Sequence, residues 1–295
     1  MDAKEPFSGQ VIADDRLKLG EGPSFEVETG TLWWFDILGC TLYDYHLKDR
    51  RLSKHTLPFH GTVIARVDDA RQMIASDQGL FIRQRADGQI TPFVALESDQ
   101  PGNRSNDGRV HPSGALWIGT MGRKAETGAG AIYHVAGTKV TKLFSAISIP
   151  NAICFSPDGS VGYFTDSKDN RMMRVDVDPR TGLPIGAPSV LVDGRNRDGV
   201  FDGSVVDMDG TIWNARWGGG SVDRYKADGT LLARYDVPAQ QVTCPAFVGE
   251  NHDRLIVTSA WEGMSTEARH ADPLAGATFE LGVAVRGKPE PSFKF

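Results

Sequence analysis

Short apolar runs alternate with polar turns along this chain at a nearly constant spacing. Six times an apolar strand leads into a turn carrying Asp, Gly or a substitute, and then into an apolar or aromatic strand. The six copies read SFEVETGTLWWFDI, ARVDDARQMIASD, GRVHPSGALWIGT, ICFSPDGSVGYFTD, SVVDMDGTIWNAR and AFVGENHDRLIVTSA. Their turn residues, Gly30, Arg71, Gly114, Gly159, Gly210 and Asp253, lie 41, 43, 45, 51 and 43 residues apart. That is close to the roughly 40–50 residues of a four-stranded propeller blade. A second hairpin-like unit follows each copy, from TLYDYHLKDRRLSKHTL after the first to ATFELGVAVRGKPEPSF after the last. Two hairpins make a four-stranded sheet, which cannot bury its faces alone. The period therefore predicts an all-β chain: a six-bladed β-propeller, four antiparallel strands per blade, spanning residues 1–295 as one domain. The leftover segment GQVIAD is expected to add an outer strand to the last blade and close the ring. A β-sandwich is the competing architecture, but a steady period without a linker favours the propeller. The stretch at 262–273, EGMSTEARHADP, is expected to form one short helical turn.

Composition narrows the function classes. The 33 glycines and 16 prolines fit many turns, and the net charge of −6 is spread without a basic block. Nucleic acid and anionic membrane surfaces are therefore not expected partners. No stretch approaches the ~20 apolar residues of a membrane-spanning helix, and MDAKEPFSGQ lacks the basic start and apolar run of a secretory signal. A soluble cytoplasmic protein without an obligate protein partner is the default expectation. Cys40, Cys154 and Cys244 are isolated and odd in number, so three reduced thiols are expected rather than a disulfide framework.

The repeat exposes a chemical position. In a propeller the first strand of each blade lines the central channel, so residues at one distance before the turn share one level of it. Asn106, Asn151 and Asp202 stand eight residues before Gly114, Gly159 and Gly210, and Glu21 stands nine before Gly30. The other two blades place Val63 and Pro245 there. Singly, Asn-Asp at 106–107 and Asp-Gly at 202–203 are ordinary turn dipeptides. Together they form a ring of hard oxygen donors suited to Ca²⁺, Mg²⁺ or Mn²⁺. No His shares the ring, which disfavours a dedicated zinc site, and the seven histidines read as surface or packing residues.

These residues lie in stretches that resemble the senescence-marker-protein/gluconolactonase/regucalcin family of six-bladed propellers. The resemblance runs from about residue 17 to 285. It is carried by LGEGPSF, NRSNDGRVHPSGALWIGTM, IPNAICFSPDGSVGYFTDS, FDGSVVDMDGTIWNARWGGG and VTCPAFVGENHDRLIVTSA, with R-x-N-D-G and the GTM strand its most specific elements. It implies metal-dependent hydrolysis of a sugar lactone to the aldonic acid. One divalent ion would be held by Glu21, Asn151 and Asp202, with Ca²⁺ favoured and Mg²⁺, Mn²⁺, Zn²⁺ or Fe²⁺ as alternatives. It also implies Asp202 as catalytic base, and Arg104, Asn106 and Glu126 as substrate-binding residues. Many members have S-N-G where this chain has Pro150-Asn151-Ala152, and P-D-G where it has Phe201-Asp202-Gly203, so the wall beside the ligands differs. Trp217 beside three glycines is either a sugar-stacking or a packing aromatic, with packing preferred. The rival readings are a phosphotriesterase-like or paraoxonase-like propeller hydrolase and a calcium-binding propeller without catalysis.

Overall fold

A computed structural model describes residues 4–295. It contains six four-stranded antiparallel sheets arranged as a six-bladed propeller. The inner strands are Gly20–Glu26, Gly61–Arg66, Asn103–Val110, Pro150–Phe155, Val200–Val206 and Val242–Val248. Each is followed within its blade by its hairpin partner, beginning with Thr31–Asp36 in blade one and ending with Arg254–Ser259 in blade six. Ring closure follows the expected route: Gln10–Ala13 pairs with Thr278–Glu280 as the outermost strand of blade six. The predicted turn glycines Gly30, Gly114, Gly159 and Gly210 all have positive φ, between 63° and 96°, a conformation glycine enters without a Cβ clash.

The blades are cemented by six apolar clusters, one for each inter-blade seam. Phe35 meets Ile64 between blades one and two, and Ile118 joins Met73 between two and three. Trp117 packs with Phe155 between three and four, and Phe201 with Cys154 between four and five. Trp213 and Phe279 share the next seam, and Trp34 with Ile256 completes the circle. Inner and second strands are thus buried on both faces, so they read as near-continuous apolar runs. Outer strands such as Arg51–Thr56 contain no buried residue and are mostly polar.

The chain ends differently from the expected sixth outer hairpin. In ATFELGVAVRGKPEPSF only Thr278–Glu280 is a strand, because Gln10–Ala13 occupies the place the second arm would take. The remaining residues form a strap across the face where the inner strands end. Met208 donates to Arg286 O, Gly287 to His252 O, Phe293 to Arg66 O and Lys294 to Gly114 O, at 2.7–3.0 Å. Phe293 is buried in the seam between blades two and three. Glu290 of the strap reaches into the channel to Arg109 Nη1 at 2.7 Å. The channel is therefore stoppered at that end. The helical stretch is Thr266–Ala271, capped by Ser265.

Candidate metal and substrate site

The inner strands open at their starts on a pocket of about 400 Å³, within the usual range for a small-molecule site. Glu21, Arg104, Asn106, Asn151, Asp202 and Trp217 all line it. The four ring residues reached by counting from the turns therefore share one wall. The device that turns them inward is a register shift in all six inner strands. It falls at Glu21/Ser24, Gly61/Val63, Ser105/Gly108, Asn151/Cys154, Phe201/Ser204 and Val242/Pro245. A bulge leaves residues out of the ladder and re-aims their side chains.

Two positions show what the bulges demand. Gly22 has φ 57°, and a Cβ there would lie 2.1 Å from Thr62 O, so the residue after Glu21 must be glycine. Ala152, after Asn151, holds φ 55° while fully buried. A non-glycine residue pays about 1 kcal/mol or more for this conformation, and its methyl is buried in the seam between blades four and five.

Hydrogen bonds set the orientation of the amides. Arg104 Nη1 donates to Asn106 Oδ1 at 2.7 Å and to Ser105 O at 2.9 Å. Asn106 Nδ2 donates to Asn151 Oδ1 and to Pro150 O, each at 3.0 Å. Asn151 Nδ2 donates to Ser167 Oγ at 2.9 Å, and Ser167 donates onward to Phe201 O at 2.6 Å. Asn151 Oδ1 therefore keeps one lone pair for a ligand. Arg104 Nε and Nη2 keep no acceptor among the described residues. Ser167 escaped sequence reasoning because it lies at the end of a second strand, outside the counted ring.

The carboxylates are the electrostatic fact of the site. Glu21 is 8% exposed and Asp202 4%, and both line the same pocket. Neither has an ion-pair partner among the described residues. Burial first, then the charge of Asp107, pushes Glu21 up to about 8. Burial, then Glu21, raises Asp202 well above the ordinary carboxylate range. Asp107 is one further buried acid, and Gly108 N and Ile153 N donate to its two oxygens at 2.9 and 2.7 Å. Two buried carboxylates without a cation cost several kcal/mol. With Asn151 Oδ1 they offer hard oxygens, so the residues present fit a divalent cation. No three His, Cys, Asp or Glu side chains gather to hold a metal among the described residues; this set is two carboxylates completed by an amide.

A pH dependence follows. A raised carboxylate binds more protons in the folded than in the unfolded state between its two pKa values, so stability falls as pH rises through that window. In EDTA, melting should drop by about 3 °C or more from pH 6 to pH 8, and Ca²⁺ should remove the drop. A melting temperature in EDTA that is flat or rising over this window would contradict the assignment.

Glu126 is the predicted site residue that the structure does not bring in. It is exposed, and its Oε2 accepts from Lys124 N at 3.0 Å. The tight turn at 123–126 returns the carboxylate to its own backbone while Ala125, its neighbour, lines the pocket. Trp217 lines the pocket as well as packing at the seam between blades one and two. Lys168 and Glu262 also reach the pocket; neither lies in a first hairpin, so the ring count had no means of finding them. No histidine lines the pocket, and the three cysteines are free thiols.

Comparison with known proteins places the chain in a family. The profile of the SMP-30/Gluconolactonase/LRE-like region matches residues 19–261. A Rhizobium meliloti protein provisionally named sugar lactone lactonase is 58% identical over 98% of each chain. An L-arabinolactonase of Azospirillum brasilense is 36% identical over 91% of this chain and 90% of that one. The crystal structure of a calcium-binding protein, regucalcin, from Agrobacterium tumefaciens is 57% identical, covers 100% of both chains and superposes with a TM-score of 0.99. The chain belongs to the SMP-30/gluconolactonase/LRE-like family of six-bladed propellers.

Proposed function

We propose that this protein is a lactonase that opens a sugar lactone, an aldonolactone, to the aldonic acid in carbohydrate catabolism. The observation that carries the reading is the convergence of two unpaired buried carboxylates, an amide oxygen and the unspent N–H groups of Arg104 on one pocket. Glu21, Asn151 and Asp202 are the residues that would hold a divalent ion. That ion, Ca²⁺ in the first instance, supplies Lewis-acid polarisation of the lactone carbonyl and acidifies water. Asp202 takes the proton of the attacking water as its oxygen bonds to the carbonyl carbon. The ring C–O bond then breaks, the leaving alkoxide takes that proton back from Asp202 to become a hydroxyl, and the new carboxylic acid ionises to the aldonate. Arg104 presents a planar fork to ring and hydroxyl oxygens, and Asn106, held between Arg104 and Asn151, fixes that fork's position. Trp217 adds an apolar wall for a sugar face.

The lactonase names of the relatives support this reading. The calcium-binding description of the Agrobacterium protein supports the ion. A calcium-binding propeller without catalysis would share the cation site but has no use for the unspent N–H groups of Arg104 beside it. A pH-indicator assay over a panel of aldonolactones and one organophosphate, in EDTA and with each metal restored, tests the proposal. Turnover of at least one aldonolactone, lost in EDTA and regained with metal, is the expected result. Indifference of every lactone to EDTA would remove the metal, and turnover of the organophosphate alone would reassign the reaction.

A further inference from the structure

With Glu126 turned away, the pocket still contains a carboxylate that nothing has claimed. Glu262 lies on the loop at 261–265, between the second strand of blade six and the helix Thr266–Ala271. The loop is pinned on several sides. Trp261 Nε1 donates to Arg16 O at 2.7 Å, and Gln241 Nε2 donates to Glu262 O at 3.0 Å. Met264 N donates to Trp261 O at 3.1 Å, and the Arg269 guanidinium sits 4.2 Å above the Trp261 ring. The backbone is thus set, while the half-buried carboxylate has no hydrogen-bond or ion-pair partner among the described residues.

Its relation to Arg104 is the second observation. Burial draws the Arg104 guanidinium below its ordinary value, and the Glu262 carboxylate is the first charge to oppose this, ahead of Glu21. Yet the two do not form an ion pair; the gap is too wide. One wall therefore offers acceptor oxygens, another offers free N–H donors, and neither satisfies the other. A hydroxyl group needs both, an acceptor for its O–H and a donor for its lone pairs. A polyhydroxylated ring seated between them would satisfy both walls at once. Fixed polar groups of this kind reject analogues that lack the matching hydroxyl, because the groups are then left unpaired.

We propose that Glu262 is the carboxylate that receives the sugar hydroxyls, acting with Arg104 as the specificity-determining pair of the pocket. The inference rests on the lactonase reading above. Glu262 touches no reacting atom in this scheme; it binds the part of the substrate that does not change.

The test is a comparison of substrates across variants. Wild type, Glu262→Gln and Glu262→Ala are assayed on the best aldonolactone and on δ-valerolactone, which has a lactone ring and no hydroxyls, with a thermal melt as the check on folding. A hydrogen bond to a charged group is typically worth about 10–100-fold in kcat/KM. The expected result is a loss of that size on the aldonolactone, carried mainly by KM, with less than about threefold change on δ-valerolactone. Equal losses on both lactones, or no loss on either, would overturn the role of Glu262 while leaving the lactonase reading intact. A wild-type protein inert toward every lactone would overturn both. If both variants melt far below wild type, Glu262→Asp decides: it keeps the charge but shortens its reach, so the selective loss should persist in a folded protein, and its absence there counts against the proposal.

Discussion

Asp202→Asn should cost catalysis and add stability to the metal-free protein. The substitution keeps the shape of the side chain and removes its charge. General-base assistance is typically worth about 10²–10⁴-fold, and loss of one of two anionic oxygens weakens cation binding as well. A drop in turnover of about 10³-fold or more is expected at saturating lactone. In EDTA the same variant should melt above wild type at pH 8, because it deletes a carboxylate that burial and Glu21 hold far above its ordinary value. The two opposite signs make the measurement decisive: a variant that lost activity and metal-free stability together would mark Asp202 as a structural residue. Turnover at the wild-type rate in a variant that no longer binds metal would end the catalytic scheme.

The second large effect lies at the other end of the channel. Glu290→Ala should destabilise the protein by about 3 kcal/mol, the usual cost of removing one partner of a buried ion pair. For a chain of this size that is roughly a 6 °C fall in melting temperature. Arg109 is 11% exposed and Glu290 21%, so the pair is largely out of water. Burial is the largest influence on the Arg109 guanidinium and would depress it, but the groups around it, Glu290 first and Asp107 among the others, together hold it above its ordinary value. The remaining Arg109 contacts, Ser204 O at 3.2 Å and Cys244 Sγ at 3.8 Å, are poor replacements. Replacing both partners with apolar residues, Arg109→Met with Glu290→Leu, should recover much of the loss, since the penalty is the unpaired charge rather than the missing bond. Calorimetry on the single and double variants checks this. A Glu290→Ala melt within 1–2 °C of wild type would show that the strap holds by its backbone bonds and Phe293 alone.

Asp107 links these two ends. Its charge acts on Glu21 and is opposed by Arg109, and its oxygens are held by two backbone N–H groups. Arg109 is the charge that most favours its ionised form, against a burial penalty that still leaves it raised. Glu290, Arg109 and Asp107 thus alternate in sign, whereas Asp107 adds to the negative charge on Glu21 and Asp202, the excess that a cation would offset.

How much of this was legible in the sequence depends on range. Strand and turn positions were, because alternation and turn glycines act within a few residues and a propeller repeats them six times. Glu21, Asn106, Asn151 and Asp202 were legible for the same reason: a repeat converts one spatial level into one sequence offset. The bulges that point them inward were not, since a register shift belongs to the pairing of two strands. Glu126 was placed by motif and removed by a turn that satisfies its carboxylate locally. Ser167, Lys168 and Glu262 reach the pocket from second-strand ends and a capped loop, at offsets the repeat does not share. The terminal residues read as a hairpin because their composition is that of a strand, yet the edge they needed was already taken by Gln10–Ala13. By itself, then, the sequence determined the blades, their number and the ring of oxygens. Only the tertiary structure decided which carboxylates stay unpaired, what stoppers the channel and which loops wall the pocket, because those outcomes depend on competition between segments far apart in the chain for the same edge, cavity or charge.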